Sequence, residues 1–196
     1  KSRLIADTLY RVYSKGEFPD GSIPDNPLTG IVYITGETDD IQLRDMYLAQ
    51  GWSLQELNDS LIKFHELESP SGEVVPFHID FEDHIKALHE LLDDFHANVV
   101  VLDPVIEFIM GDENNGHIAR KYMRLLQDFG VTWKVLFICV VHWNKNENLS
   151  SKNRMSGSHQ ITATTRARAT VIRNDRNPNI RSYRLSKPVE EEQPDL

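Results

Sequence analysis

Three short runs in this chain each end an apolar, largely β-branched stretch on a polar side chain. Asn98-Val99-Val100-Val101-Leu102-Asp103-Pro104 reads as a buried parallel strand with a carboxylate at its C-terminal edge. Ile31-Val32-Tyr33-Ile34-Thr35 runs into Gly36-Glu37, and Val140-Val141-His142-Trp143-Asn144-Lys145 ends a third strand on an imidazole. Open α/β sheets bind ligands beyond the carboxyl ends of their strands. An acid at position 103 is therefore placed to hold Mg²⁺ on a nucleotide. Glu37 is placed to orient or activate an attacking water. His142 is placed to touch a terminal phosphate and sense its loss. Each residue also has a plainer reading. Asp-Pro opens ordinary turns, Glu37 stands beside the solvated acids Asp39 and Asp40, and a histidine at a sheet edge can simply be hydrogen-bonded. Three such groups converging on one edge are more specific than any one of them.

Two further features fit phosphate chemistry. Lys1-Ser2 stands at the head of an amphipathic stretch. A phosphate-binding loop ends in Gly-Lys-Ser or Gly-Lys-Thr at a helix N-terminus, with the lysine on the β/γ-phosphates and the hydroxyl on Mg²⁺. Two residues also match by accident. Gly157-Ser158 is followed by Arg166 and Arg168. An arginine there could neutralise transferring phosphate charge from a neighbouring subunit, or simply belong to a basic surface helix.

The elements that must position these groups follow from periodicity. Leu4, Ile5, Leu9, Val12 and Tyr13 share a helical face over Ser2 to Ser14, with Gly16 as a stop. Residues 17–30 read as a loop. Asp39 or Asp40 caps a helix to about Gln50, and Ser53 with Glu56 caps another through about Leu67. Val74 to Ile79 fits a short strand. Asp80 or Asp83 starts a helix carrying Ile85, Leu88, Leu91, Leu92 and Phe95. A helix from about His117 ends at Gly130, and Val135 to Val141 is again a buried strand. Arg168 to Asn174 and Arg181 to Ser186 form a terminal hairpin. Strands alternating with helices predict a three-layer α/β domain with a mostly parallel sheet.

Length and composition set the bounds. The 196 residues, 40% hydrophobic, fit one α/β domain with a sizeable core. We expect this core over residues 1–188, followed by an acidic, solvated or disordered tail over 189–196. No apolar run reaches the ~18 residues of a membrane span. There is no secretory h-region, and the single Cys139 has no intrachain partner, so a cytoplasmic, reducing compartment is expected. The net charge of −9 argues against a surface that coats nucleic acid generally. It leaves room for a local basic path, since Lys145 to Arg184 is rich in Lys and Arg.

As a set, these segments resemble the RecA-like P-loop ATPases, specifically the RepA-like group of hexameric replicative helicases and their AAA-type relatives in plasmids and phages. The resemblance covers nearly all of Lys1 to Lys187. It implies a three-layer RecA-like P-loop NTPase core with a C-terminal β-hairpin, ATP and Mg²⁺ as cofactors, a hexameric homo-oligomeric ring and single-stranded DNA as partner. Lys1 and Ser2 would be the phosphate-loop lysine and the Mg²⁺-binding hydroxyl. Asp103 would be the Walker B acid, Glu37 the catalytic glutamate and His142 the sensor. Arg166, or alternatively Arg168, would reach the adjacent subunit's nucleotide, and Lys187 would be a second such contact. The loop after the sensor strand would face the channel of the ring, with Lys145, Lys152 and Arg154 on DNA phosphates. The strand and glycine-rich loop that the resemblance requires before Lys1 are expected in a longer chain. Two rival expectations stand beside the helicase: a recombinase-like or signalling ATPase of the same fold, and a non-hydrolysing assembly or regulatory module.

Overall fold

A computed structural model describes residues 2–58, 62–64, 67–68, 74–75, 77–111, 115–141, 161, 164–165, 167–173 and 181–186. In chain order the elements are α1 (Ser2–Lys15), β1 (Ile31–Thr35), α2 (Asp40–Leu48), the single turn α3 (Leu54–Glu56), β2 (Ile62–Phe64), β3 (Leu67–Glu68), β4 (Val74–Val75) and α4 (Glu82–Asp94). They continue with β5 (Val99–Asp103), a 3₁₀ turn (Val105–Phe108), α5 (Gly116–Trp133), β6 (Leu136–Cys139), β7 (Arg168–Arg173) and β8 (Arg181–Ser186).

Four strands form a parallel sheet in the order β2-β1-β5-β6. β1 and β5 lie in its middle, and every residue of both is buried. Because side chains alternate along a strand, these two strands feed two separate cores. Val32, Ile34, Val100 and Leu102 face α4 and α5, where they meet Leu88, Leu92, Ala119, Tyr122, Met123 and Leu126. Ile31, Tyr33, Val99 and Val101 face the other way, toward Ala6, Leu9 and Val12 of α1 and Leu43 and Tyr47 of α2. Burying each such Val, Leu or Ile side chain contributes about 1.5–3 kcal/mol. The sandwich of helices, sheet and helices is thus the three-layer arrangement that the alternating pattern predicts. β7 and β8 pair antiparallel as a separate ribbon, with Arg168 opposite Ser186 and Arg173 opposite Arg181.

Three local expectations are corrected. Ser53 does form the capping box with Glu56, its hydroxyl accepting from the Glu56 N–H. The helix it starts stops after one regular turn, and Ile62–Phe64 becomes an edge strand, registered with Ile31, Val32 and Tyr33. Pairing with the open edge of β1 outweighs local helix propensity. Second, α4 is capped by neither expected acid. Phe81 occupies the N-cap, and Asp80 instead accepts a 2.8 Å hydrogen bond from the Tyr122 hydroxyl. Third, α5 runs through Gly130 and ends at Lys134 in the left-handed conformation. A Cβ on Gly130 would lie 3.0 Å from the Val135 carbonyl, so this glycine serves the close approach of the chain entering β6.

Candidate nucleotide-phosphate site

β1 and β5 run in register, with Thr35 opposite Asp103. Their carboxyl ends therefore lie side by side, and the acid of β5 emerges at the edge where the sheet meets α1. Asp103 is only 4% exposed. A buried carboxylate needs donors, and this one has two. The Ser2 hydroxyl, on the first residue of α1, donates to Oδ2 at 2.5 Å across 101 positions of sequence. The Tyr33 hydroxyl donates to the same oxygen, also at 2.5 Å.

The tyrosine is the site residue that the motif search misses. Tyr33 and Asp103 face the same side of the sheet, because Tyr33 pairs with Val101 and the acid stands two residues further on. That makes them diagonal neighbours, within reach of a long side chain. The signal exists in the alternation, but it is readable only once the register is known. Burial pushes the Tyr33 phenol well above its ordinary range, and the hydrogen bond to Asp103 pushes it the same way. It is therefore a permanent donor. Behind it, Tyr47 packs edge-on against the Tyr33 ring with centroids 6.1 Å apart. Burial raises the Tyr47 phenol too, and its hydroxyl has no hydrogen-bond partner among the described residues.

Glu37 stands just past β1 at the same edge. Its backbone N–H donates to the Thr35 hydroxyl at 3.1 Å, which turns the chain out of the strand and leaves the residue exposed. A Cβ on the intervening Gly36 would meet Glu107 Oε2, so the 3₁₀ turn after β5 lays a second carboxylate against the end of β1. Nothing in the motif pattern points to Glu107, because its approach depends on how the turn after Pro104 folds back.

The structure thus brings Ser2 and Asp103 into direct contact and sets Glu37 one strand away. Arg168 opens β7 in the separate ribbon and is exposed. Lys1, His142, Lys145, Lys152, Arg154, Arg166 and Lys187 lie outside the described residues. As a donor set, one hydroxyl and one carboxylate suit Mg²⁺. This hard ion takes one or two protein oxygens and completes its octahedron with phosphate oxygens and water. In that arrangement Ser2 and Asp103, which are hydrogen-bonded to each other here, would both turn their oxygens to the metal.

No protein-family model and no curated protein matches the sequence. Among solved structures, the KaiC-like protein PH0186 from the hyperthermophilic archaeon Pyrococcus horikoshii OT3 aligns with a TM-score of 0.55. The alignment covers 95% of this chain and 74% of that one, at 14% identity. No helix among the described residues is long and apolar enough to cross a membrane. With its parallel sheet order and layered helices, the chain has a RecA-like α/β fold.

Proposed function

We propose that this chain is the ATPase core of a ring-forming motor of the RepA-like helicase type, hydrolysing ATP with Mg²⁺ and working on single-stranded DNA. The observation that carries the reading is the Ser2–Asp103 contact. A hydroxyl at the head of one helix meets the acid of a central strand, at the strand ends where such folds bind nucleotides. The KaiC-like neighbour supports the same fold-level reading.

The chain's residues divide the work as follows. Ser2 and Asp103 would hold Mg²⁺, which when bound would supply positive charge against the phosphates. Tyr33 fixes the Asp103 carboxylate by donating to its Oδ2. Glu37, exposed at the neighbouring strand end, accepts a proton from the attacking water and orients it in line. Lys1 and an arginine of the next subunit, Arg166 or Arg168, neutralise the transferring group. Catalysis of this kind is mostly positioning and electrostatics. His142 acts as the sensor, and Lys145, Lys152 and Arg154 contact the DNA backbone.

The test is Mg²⁺-dependent ATP hydrolysis by the protein and by Glu37→Gln and Asp103→Asn. Glu37→Gln is expected to keep nucleotide binding and lose about 10²–10⁴ in turnover. Asp103→Asn is expected to lose Mg²⁺-dependent binding. Nucleotide binding without hydrolysis in the parent would instead favour the assembly module of the same fold.

A further inference from the structure

α5 carries a predominantly cationic face that the nucleotide site does not use. His117, Arg120, Lys121 and Arg124 are all exposed, on the side of the helix opposite its buried Ala119, Tyr122, Met123 and Leu126. They line a groove of about 330 Å³ together with Leu125 and Asp128. The chain as a whole carries a net charge of −9, so a row of cations on one helix stands out against its background. A solvated helix face ordinarily mixes signs and pairs them. On α4, for example, Lys86 lies 3.8 Å from Glu90. On α5, Arg124 stands four residues before Asp128, yet neither Arg124 nor Lys121 forms an ion pair among the described residues. Lys121 instead lies 5.5 Å from the centroid of the Tyr122 ring.

We propose that this face of α5 is a docking surface for the phosphate backbone of single-stranded nucleic acid. The argument is charge complementarity with a linear polyanion. Cations one helical turn apart repeat about every 5–6 Å along the axis, giving a row of point charges rather than a single pocket. Two of the three permanent cations are arginines, whose planar forks bind phosphate oxygens in pairs. An acidic face of a second copy is the competing occupant. The proposal deepens the motor reading above, since it assigns the DNA partner a surface outside the loop at Lys145.

The experiment is fluorescence anisotropy of a labelled oligothymidylate with the protein over a salt series. The variant is Arg120→Gln/Lys121→Gln/Arg124→Gln, compared with Arg120→Lys/Arg124→Lys. All three positions are exposed, so both variants are expected to melt as the parent does. The neutralised variant is expected to bind on the order of tenfold or more weaker at low salt. The slope of log K against log salt should flatten by about 2, since each phosphate contact on a single strand contributes about 0.7. The lysine variant should keep the slope. Unchanged affinity and slope in the neutralised variant overturn this surface alone and leave the motor reading standing. A change in sedimentation coefficient with unchanged DNA affinity also overturns it, in favour of a contact between copies. A parent that binds no oligonucleotide at any salt overturns the DNA arm of the motor reading together with this surface.

Discussion

Tyr33→Phe isolates one hydroxyl at the centre of the candidate site. The ring stays, so the packing against Tyr47 and the α1 side of the core is kept. What is lost is a donor 2.5 Å from a carboxylate oxygen, in a pair where Tyr33 is 1% exposed and Asp103 4% exposed. Hydrogen bonds to buried charged groups contribute about 1.5–3 kcal/mol. The carboxylate keeps its second donor, Ser2, on the same oxygen, so a value near the lower half of that range, about 2 kcal/mol, is expected. For a chain of this size that corresponds to a melting temperature about 4–8 °C lower. Urea unfolding of the parent, Tyr33→Phe, Asp103→Asn and the double variant measures the coupling directly. The cycle should close with an interaction term of about 1–2 kcal/mol, because Tyr33→Phe removes the donor and Asp103→Asn removes the charge it donates to. Tyr33→Phe within about 0.5 kcal/mol of the parent, or strict additivity in the double variant, would refute the assignment of Tyr33 as the anchor of the acid.

The remaining predictions concern the neighbourhood of the site and the core. Glu37→Gln should leave the melting temperature unchanged, since the side chain is exposed, while abolishing turnover in a phosphate-release assay; a variant as active as the parent removes Glu37 from the mechanism. Gly51 has a φ of +109° and a Cβ there would stand 2.8 Å from the Tyr10 ring. Gly51→Ala should therefore cost about 1–3 kcal/mol in chemical denaturation, and a neutral result would mean that the turn before Trp52 relaxes freely. Burial pushes the Cys139 thiol up to about 12. Its thiolate is scarce at neutral pH, so iodoacetamide should label this half-buried thiol far more slowly than a free cysteine; labelling of the native protein at the free-thiol rate would contradict the shift. The same shift has a sign for stability. The folded thiol keeps its proton above the ordinary thiol range while the unfolded one loses it, so this group's contribution is intact below about pH 9 and falls progressively toward pH 12.

The order of elements and the end of each central strand were legible in the residues themselves. Ile31–Thr35 and Val99–Asp103 are short runs of β-branched and aliphatic residues with a polar stop, and the structure draws both strands at those bounds. Periodicity sufficed because a strand buried on both faces has few alternatives. Boundaries set by tertiary partners were not legible. Ile62–Phe64 carries no pattern that separates a helix end from an edge strand, and only the open edge of β1 decides it. Gly130 looks like a helix stop until the return of the chain at Val135 shows why a side chain would be crowded there. Asp80 looks like a cap until Tyr122 claims its carboxylate.

The candidate site divides in the same way. Sequence alone determined which chemistry was at hand: a carboxylate at 103, another at 37 and a hydroxyl at 2, each at an element end where side chains leave the core. It could do so because residue type and strand period are local properties. Only the tertiary structure decided that Ser2 and Asp103 touch, that Tyr33 shares the same oxygen and that Glu107 lies against Gly36. Those contacts join positions tens of residues apart or more. They depend on the register between β1 and β5 and on the docking of α1, which the packing of the whole chain fixes and no window of sequence contains.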